Sequence, residues 1–245
     1  MIEFRGLKKR FGDKQVLDGI DLLIPKGSVA FIIGTSGAGK SVLMKHLVGL
    51  LRADAGQILF EGTDVSQFSE ERFYEVRRRV SYVFQHSTLL DGLDVLDNVA
   101  LPLEHRLSLS LAEARARAEV ELSRLRLEPF LHRYPAELGA GLKKRAAIAR
   151  SLALEPDYLI YDEPTTGLDP VNARRVDALI IELKSRGITQ IVVSHDLASI
   201  LGVADRVAMI HGGRVHIEGT PAELSGSGDP VIRQFLAGSP DGPIG

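Results

Sequence analysis

The sequence predicts an α/β fold, a parallel sheet with helices packed on it. Four short runs, SVAFIIG (28–34), VSYVF (80–84), YLIYDE (158–163) and QIVVSH (190–195), are apolar almost without interruption. Strands covered on both faces read this way, whereas half-exposed strands alternate. Helical patterns lie between these runs, the order of a sheet built from alternating strands and helices. Two stretches break that order, one at the N-terminus and one from about 90 to 135.

In chain order, the first 27 residues together with QILFEGTDV (57–65) predict antiparallel strands added on one side as a separate lobe. A helix is expected directly after Gly39. The stretch from about 90 to 135 carries no buried-strand pattern and predicts a helical subdomain inserted between two sheet strands. Within it Ser110 and Glu113 are spaced as a capping box, and Leu111, Ala114, Ala118, Leu122 and Leu125 fall on one helical face. Further helices are expected over roughly 143–154 and over 170–186. The latter has Asp169 as N-cap, Pro170 at its first position and Gly187 as its stop. RVAMIHGGRVHIEG (206–219) reads as a hairpin turning at Gly212 and Gly213. SGSGDP (225–230) reads as a linker before a short helical tail, whose Val231, Ile232, Phe235 and Leu236 share a face. The expected division is a domain over 1–224 and a linker with tail over 225–245.

Composition narrows the function. A chain of 245 residues buries a sizeable core, and 44% hydrophobic with 25% charged residues is ordinary for a globular protein. A net charge of −2 gives no field that would recruit nucleic acid or an anionic membrane. The absence of cysteine excludes disulfides and thiolate metal sites and fits a reducing compartment. The N-terminus lacks the apolar core of a signal peptide, and no apolar run approaches the roughly 20 residues of a membrane helix. Work at a membrane would therefore need another chain to do the spanning.

The chemistry-bearing residues cluster at strand ends. GTSGAGKS (34–41) matches the phosphate-binding pattern G-x-x-x-x-G-K-[ST], with an apolar strand before it and a helix after it. Its glycines let successive N–H groups point inward at a helix N-terminus, Lys40 would reach the β and γ phosphates, and the Ser41 hydroxyl would ligate magnesium. YLIYDE ends an apolar strand in two carboxylates, a costly choice unless they find partners. Beside a phosphate loop, Asp162 would hold the magnesium shell and Glu163 would orient and deprotonate an attacking water. His195 and Gln85 also end apolar strands. The imidazole would contact a γ-phosphate, and the amide would ligate magnesium or sense the water.

Phe11, GTSGAGKS, Gln85, LGAGL (138–142), YLIYDE, Asp169 and His195 occur in an order that resembles the ATP-binding cassette (ABC) ATPases over nearly the whole chain. The resemblance implies a P-loop cassette using ATP and Mg2+, with Lys40, Gln85, Glu163 and His195 in catalysis and Ser41, Gln85 and Asp162 around the metal. It implies Phe11 stacked on adenine with Val16 beside it, and Gly34, Thr35, Ser36, Gly37, Ala38, Gly39, Lys40, Ser41 and Val42 around the phosphates. It also implies that Asp169 crosses to a second ABC ATPase subunit, an identical copy or a different chain. Leu138, Gly139, Ala140 and Gly141 would then sit over the ATP that this subunit holds. The family signature is usually Leu-Ser-Gly-Gly-Gln. Here Gly139 stands at the serine and Ala140 at a glycine, so the anion site is weakened but its backbone N–H groups and helix dipole remain.

A narrower resemblance is carried by residues 76–105, above all DNVALPLEH (97–105), and by DPVIRQFLAG (229–238), which are similar to the Mla/Mce-type lipid-transport ATPases. It implies an ATPase driving phospholipid or hydrophobic-molecule transport between bacterial membranes. Such a subunit is held at the cytoplasmic face of the inner membrane by an integral-membrane permease whose cytoplasmic helix docks near Gln85 and residues 89–99. An Mce-type substrate-binding protein and, in some systems, a STAS-domain regulator complete the set, and the tail is expected to dock as a short helix, on the neighbouring ATPase subunit by this resemblance or else on its own chain. Other readings are an ABC ATPase for another cargo, a slow regulatory subunit favoured by the altered signature and opposed by Glu163, and a soluble ABC ATPase acting on DNA or ribosomes. The last needs a coiled-coil insertion or a second cassette, where this sequence carries one uninterrupted cassette.

Overall fold

The computed structural model describes residues 1–244, and its larger sheet is organised around β3 (Val29–Ile33), every residue of which is buried. β3 pairs in parallel with β8 (Thr189–Val193) on one side and with β9 (Arg206–His211) on the other. β7 (Tyr158–Asp162) and β6 (Val80–Val83) continue the sheet in parallel beyond β8. β10 (Arg214–Gly219) closes the other edge antiparallel to β9. The two-residue turn between β9 and β10 needs a left-handed backbone, and Gly212 and Gly213 supply it at φ 58° and 75°. All four apolar runs thus form strands. The structure trims their ends, because Gly34, Glu163 and His195 turn out of the sheet.

Successive side chains of a strand point to opposite faces, so each buried strand feeds two cores. Ala30 and Ile32 of β3, with Tyr158 and Ile160 of β7, enter one core with Leu43, Met44 and Leu47 of α1 (Lys40–Leu47). The smaller antiparallel sheet covers that core: β1 (Ile2–Phe11), β2 (Lys14–Ile24), β4 (Ala55–Phe60) and β5 (Thr63–Asp64), in the order β2-β1-β4-β5. Val29, Phe31 and Ile33, with Leu159 and Tyr161, enter the other core among the helices. Each fully buried Phe, Ile or Leu contributes about 1.5–3 kcal/mol, so the sheet is held firmly from both sides.

The insertion between β6 and β7 is helical, as expected, with α3 (Val95–Leu107) and α4 (Leu111–Arg124). The Ser110–Glu113 capping box forms, and Ala114, Ala118, Leu122 and Leu125 are buried. Leu111 is not, at 49% exposure. Helical side chains lean toward the N-terminus, so a residue in the first turn projects past the packed face. α2 (Glu70–Arg79) was not foreseen, since only Phe73 and Val76 of its ten residues are buried and its apolar signal is thin. α5 (Ala140–Leu152) begins three residues before the expected start, because residues 139–141 are too small to mark a periodic face. α6 (Pro170–Ser185) is capped by Asp169, whose carboxylate accepts the Asn172 N–H at 2.9 Å. α7 (Leu197–Val203) follows His195.

The expected linker is shorter than SGSGDP. Ser225 ends α8 (Pro221–Ser225) and Pro230 starts α9 (Pro230–Ala237), leaving only residues 226–229 between them. α9 does not stand apart from the domain. Val231 and Ile232 are buried in the helix-side core, and Phe235 and Leu236 pack partly against it. The Gln234 amide donates to the carbonyls of Ser239 and Ile244 at 3.1 Å, tying the chain end back onto the helix. A neighbouring subunit that took this face would have to displace it from its own core. Truncation Ile232→Ala is therefore expected to cost about 2–5 kcal/mol of unfolding free energy, as a fully buried aliphatic does. Urea denaturation at concentrations where the chain is monomeric checks this, and an unchanged midpoint would show that α9 does not belong to this core.

Candidate functional site

In a parallel sheet the C-terminal strand ends share one edge, and ligands gather in the crevice outside it. Here that edge carries the residues after β3, β6, β7 and β8. They open onto a cleft of about 640 Å³ lined by Phe11, Val16, Gly34, Thr35, Ser36, Gly37, Gly39, Lys40, Ser41, Val42, Gln85, Glu163, His195 and Phe235. Ala38 completes the loop, donating its N–H to the Thr35 carbonyl at 3.2 Å. Gly34, Gly37 and Gly39 hold φ of 141°, 77° and 100°, which L side chains rarely adopt. Two of them are also closed to any side chain: a Cβ on Gly34 would lie 2.3 Å from the Ile210 carbonyl oxygen, and one on Gly39 2.7 Å from a Leu17 methyl.

Lys40 folds back over this loop, its ammonium donating to the carbonyls of Gly34 and Thr35 at 2.8 and 2.9 Å. Burial pushes that ammonium below its ordinary pKa, and the Glu163 and Asp162 carboxylates pull it back. Asp162 is gripped on both oxygens. Ser41 Oγ donates to Oδ1 at 2.8 Å, and the Tyr82 hydroxyl donates to Oδ2 at 2.9 Å. Burial, then Asp162 itself, raises the Tyr82 phenol well above its usual value, so it remains a donor.

Glu163 turns the chain at φ 54°. Its carboxylate accepts the Thr166 hydroxyl at 2.9 Å and stands 2.9 Å from Nδ1 of His195. Ser41 and Asp162 offer two convergent oxygens, and Gln85 stands on the same cleft. Among the described residues no cluster of three His, Cys, Asp or Glu could cage a metal. Two oxygens beside a phosphate loop suit Mg2+, which keeps waters and takes phosphate oxygens in preference to an all-protein cage.

The cleft thus gathers Phe11, Val16, Lys40, Ser41, Gln85, Glu163 and His195, with Asp162 behind Ser41. It does not gather Leu138, Gly139, Ala140, Gly141 or Asp169. Leu138 is core, Gly139 is the N-cap of α5 without a side-chain bond, and Asp169 caps α6. The two helix starts adjoin, since a Cβ on Gly141 would lie 3.1 Å from Asn172. Sequence reasoning missed Tyr82, Thr166 and Phe235. It also missed Lys144 of α5, whose ammonium donates to the Gln85 carbonyl at 2.6 Å. Tyr82 lies on β6, three residues before Gln85, and was the one with a local signal.

Known proteins share this fold and resemble this sequence. The family model described as ABC transporter matches residues 17–166. The intermembrane phospholipid transport system ATP-binding protein MlaF of Escherichia coli K12 is 36% identical over all of this chain and 91% of its own length. The probable ribonucleotide transport ATP-binding protein mkl of Mycobacterium tuberculosis H37Rv is also 36% identical, over all of this chain and 68% of its own. Among solved structures, the dimeric ATP-binding cassette MJ0796 in a post-hydrolysis state bound to ADP and Pi superposes with a TM-score of 0.84. It is 29% identical and covers 90% of this chain and 99% of its own.

The loop geometry predicts that Gly34→Ala, which combines a left-handed backbone with a clash on Ile210, weakens nucleotide binding by roughly tenfold or more, since such strain costs about 1–3 kcal/mol. Titration with a fluorescent ATP analogue reads the effect. Wild-type affinity in the variant would mean that the loop does not hold the nucleotide.

Proposed function

The chain belongs to the ABC transporter family, and we propose that it is the ATP-hydrolysing subunit of a bacterial transporter that moves phospholipid, or a similarly hydrophobic molecule, between membranes. The observation that carries the chemistry is the convergence of Lys40, Ser41, Asp162, Glu163 and His195 at one cleft. Full-length identity to a phospholipid-transport ATPase supports the cargo, together with DNVALPLEH and DPVIRQFLAG. The mycobacterial relative bears a ribonucleotide-transport name at equal identity, so transport by reconstituted vesicles carrying labelled phospholipid, set against labelled ribonucleotide, decides between them.

ATP enters with its adenine on the exposed Phe11 ring and its phosphates in the 34–41 loop. Lys40, already seated on the loop carbonyls, lies beside the β and γ phosphates. Ser41, Asp162 and Gln85 would hold Mg2+, which would supply neutralisation of the phosphate charge. Glu163 accepts a proton from water as the water oxygen attacks the γ-phosphorus and the bond to the β-bridging oxygen breaks, releasing ADP and phosphate. His195 and the Thr166 hydroxyl aim the Glu163 carboxylate, leaving the other imidazole nitrogen for the γ-phosphate.

The signature residues 138–141 and Asp169 serve a second cassette, because they lie outside their own cleft. Among the described residues no helix is long and apolar enough to cross a membrane, so the reading assigns the crossing to a permease that holds this subunit at the cytoplasmic face of the inner membrane. An Mce-type substrate-binding protein completes the complex, and a STAS-domain regulator is a further partner of this reading.

Glu163→Gln is expected to keep ATP binding and to lower phosphate release by about 10²–10⁴-fold, the usual worth of a positioned general base. Normal release would remove Glu163 from that role. Restoring the signature should act in the opposite direction. Gly139 sits in an extended conformation with open space around its Cα, so a serine fits there without strain. Gly139→Ser with Ala140→Gly is expected to raise turnover or ATP-driven dimerisation by roughly tenfold, the value of one added hydrogen bond to a charged group. Steady-state ATPase of the assembled complex at saturating ATP measures it, and an unchanged rate would show that the α5 amides and dipole suffice.

A further inference from the structure

Lys144 is 4% exposed, on α5 two residues past the end of the signature. Its ammonium donates to the Gln85 carbonyl at 2.6 Å and to the Glu163 carbonyl at 3.4 Å. Further along α5, Arg150 donates to the carbonyl and hydroxyl of Thr88 at 3.0 and 2.9 Å. The signature helix therefore grips both ends of residues 85–88 and, through the same ammonium, the turn at Glu163. A buried ammonium is costly unless bonded and charge-compensated. Here two carbonyls accept it, and Asp162 and Glu163 supply the negative charge. Packing alone would be served at least as well by an apolar side chain of similar length.

We propose that Lys144 is a positioning residue of the ATPase: its ammonium locates the Gln85 and Glu163 main chains together and ties both to the signature helix. The inference rests on the roles of Glu163 and Gln85 given above. When the signature of this chain seats on a second cassette's nucleotide, α5 carries that event to this chain's own water-activating carboxylate. The 2.6 Å bond to the Gln85 carbonyl is a short charge-assisted one and the 3.4 Å contact with the Glu163 carbonyl is longer, so a shift of the helix moves the Gln85 carbonyl directly and the Glu163 turn more loosely. Arg150 makes the linkage a two-point one, so the 85–88 segment follows α5 without pivoting about a single bond.

Lys144→Met removes the donor at nearly constant length, and Lys144→Gln keeps an N–H donor. The methionine variant is expected to lower kcat by roughly 10- to 100-fold, the loss that follows removal of a charge-assisted bond from a positioned group. The dissociation constant for a fluorescent ATP analogue should stay within about threefold, and the glutamine variant should recover part of kcat. The chain has no cysteine, so a spin label on His86→Cys reports the loop without background. That label should gain mobility in Lys144→Met, while one on Arg186→Cys stays unchanged. A role in packing alone would instead lower melting temperature, ATP affinity and kcat together and mobilise both labels, and that result overturns the proposal, as does an unaltered kcat or an unaltered label at 86. Arg150→Met, which frees only Thr88, guards against misfolding at 144. It should mobilise the label at 86 with a smaller fall in kcat, and no change in either also overturns the proposal. Glu163→Gln in the same assay separates the two readings. If it still releases phosphate, the role of Glu163 fails; if it does not while Lys144→Met turns over normally, only this inference fails.

Discussion

The hydrogen bond from the Glu163 amide to the Val193 carbonyl, 2.9 Å long, holds a residue that is not glycine at φ 54°. A left-handed residue of this kind costs about 1–2 kcal/mol. The cost is offset by that bond, by the Thr166 hydroxyl and by His195 on the carboxylate. In an extended strand Asp162 and Glu163 would point to opposite faces. The turn instead brings one carboxylate to Ser41 and the other to His195, at a single cleft. It also directs the Glu163 carbonyl toward Lys144. The Glu163–His195 contact, the placing of Asp162 on Ser41 and the link to α5 all follow from this one departure from strand geometry.

Charge balance makes the arrangement tolerable in a nearly dry place. Lys40, Lys144, Asp162 and Glu163 are each less than a tenth exposed, so two ammonium groups face two carboxylates across the strand ends. Burial lowers the pKa of both lysines, and the carboxylates oppose that shift. The lysines differ in what they bond. Lys40 rests on the carbonyls of Gly34 and Thr35 in the glycine-rich loop, whereas Lys144 rests on those of Gln85 and Glu163 at the ends of β6 and β7. The two ammonium groups together balance the two carboxylates, the condition under which buried ionic groups are tolerated.

The two cores explain why the cleft has firm walls. β3, β7 and β8 are clamped by apolar side chains on both faces, so their ends cannot drift apart. One face carries the antiparallel lobe that brings Phe11 and Val16, and the other carries the helices that bring α5 and α9. α9 places Phe235 at the cleft although it lies near the end of the chain. Of the two expected placements of the tail, the packing of Val231 and Ile232 matches the one on its own chain.

The sequence by itself determined the four buried strands, the phosphate loop, the strand-end carboxylates and histidine, and the helical insertion with its Ser110–Glu113 cap. These depend on periodicity, on glycine and proline chemistry and on spacing within one segment, all of which are local. It did not reveal α2, whose charged residues hide a two-residue apolar anchor, nor that Leu111 would lie outside the packed face. Only the tertiary structure decided which groups meet: Tyr82 on Asp162, Thr166 on Glu163, Lys144 on Gln85, and α9 on the helix-side core. Most of these partners come from segments remote in sequence, and a polar side chain carries no periodic signal of its partner. Their distances are set only once the two cores have closed around the sheet.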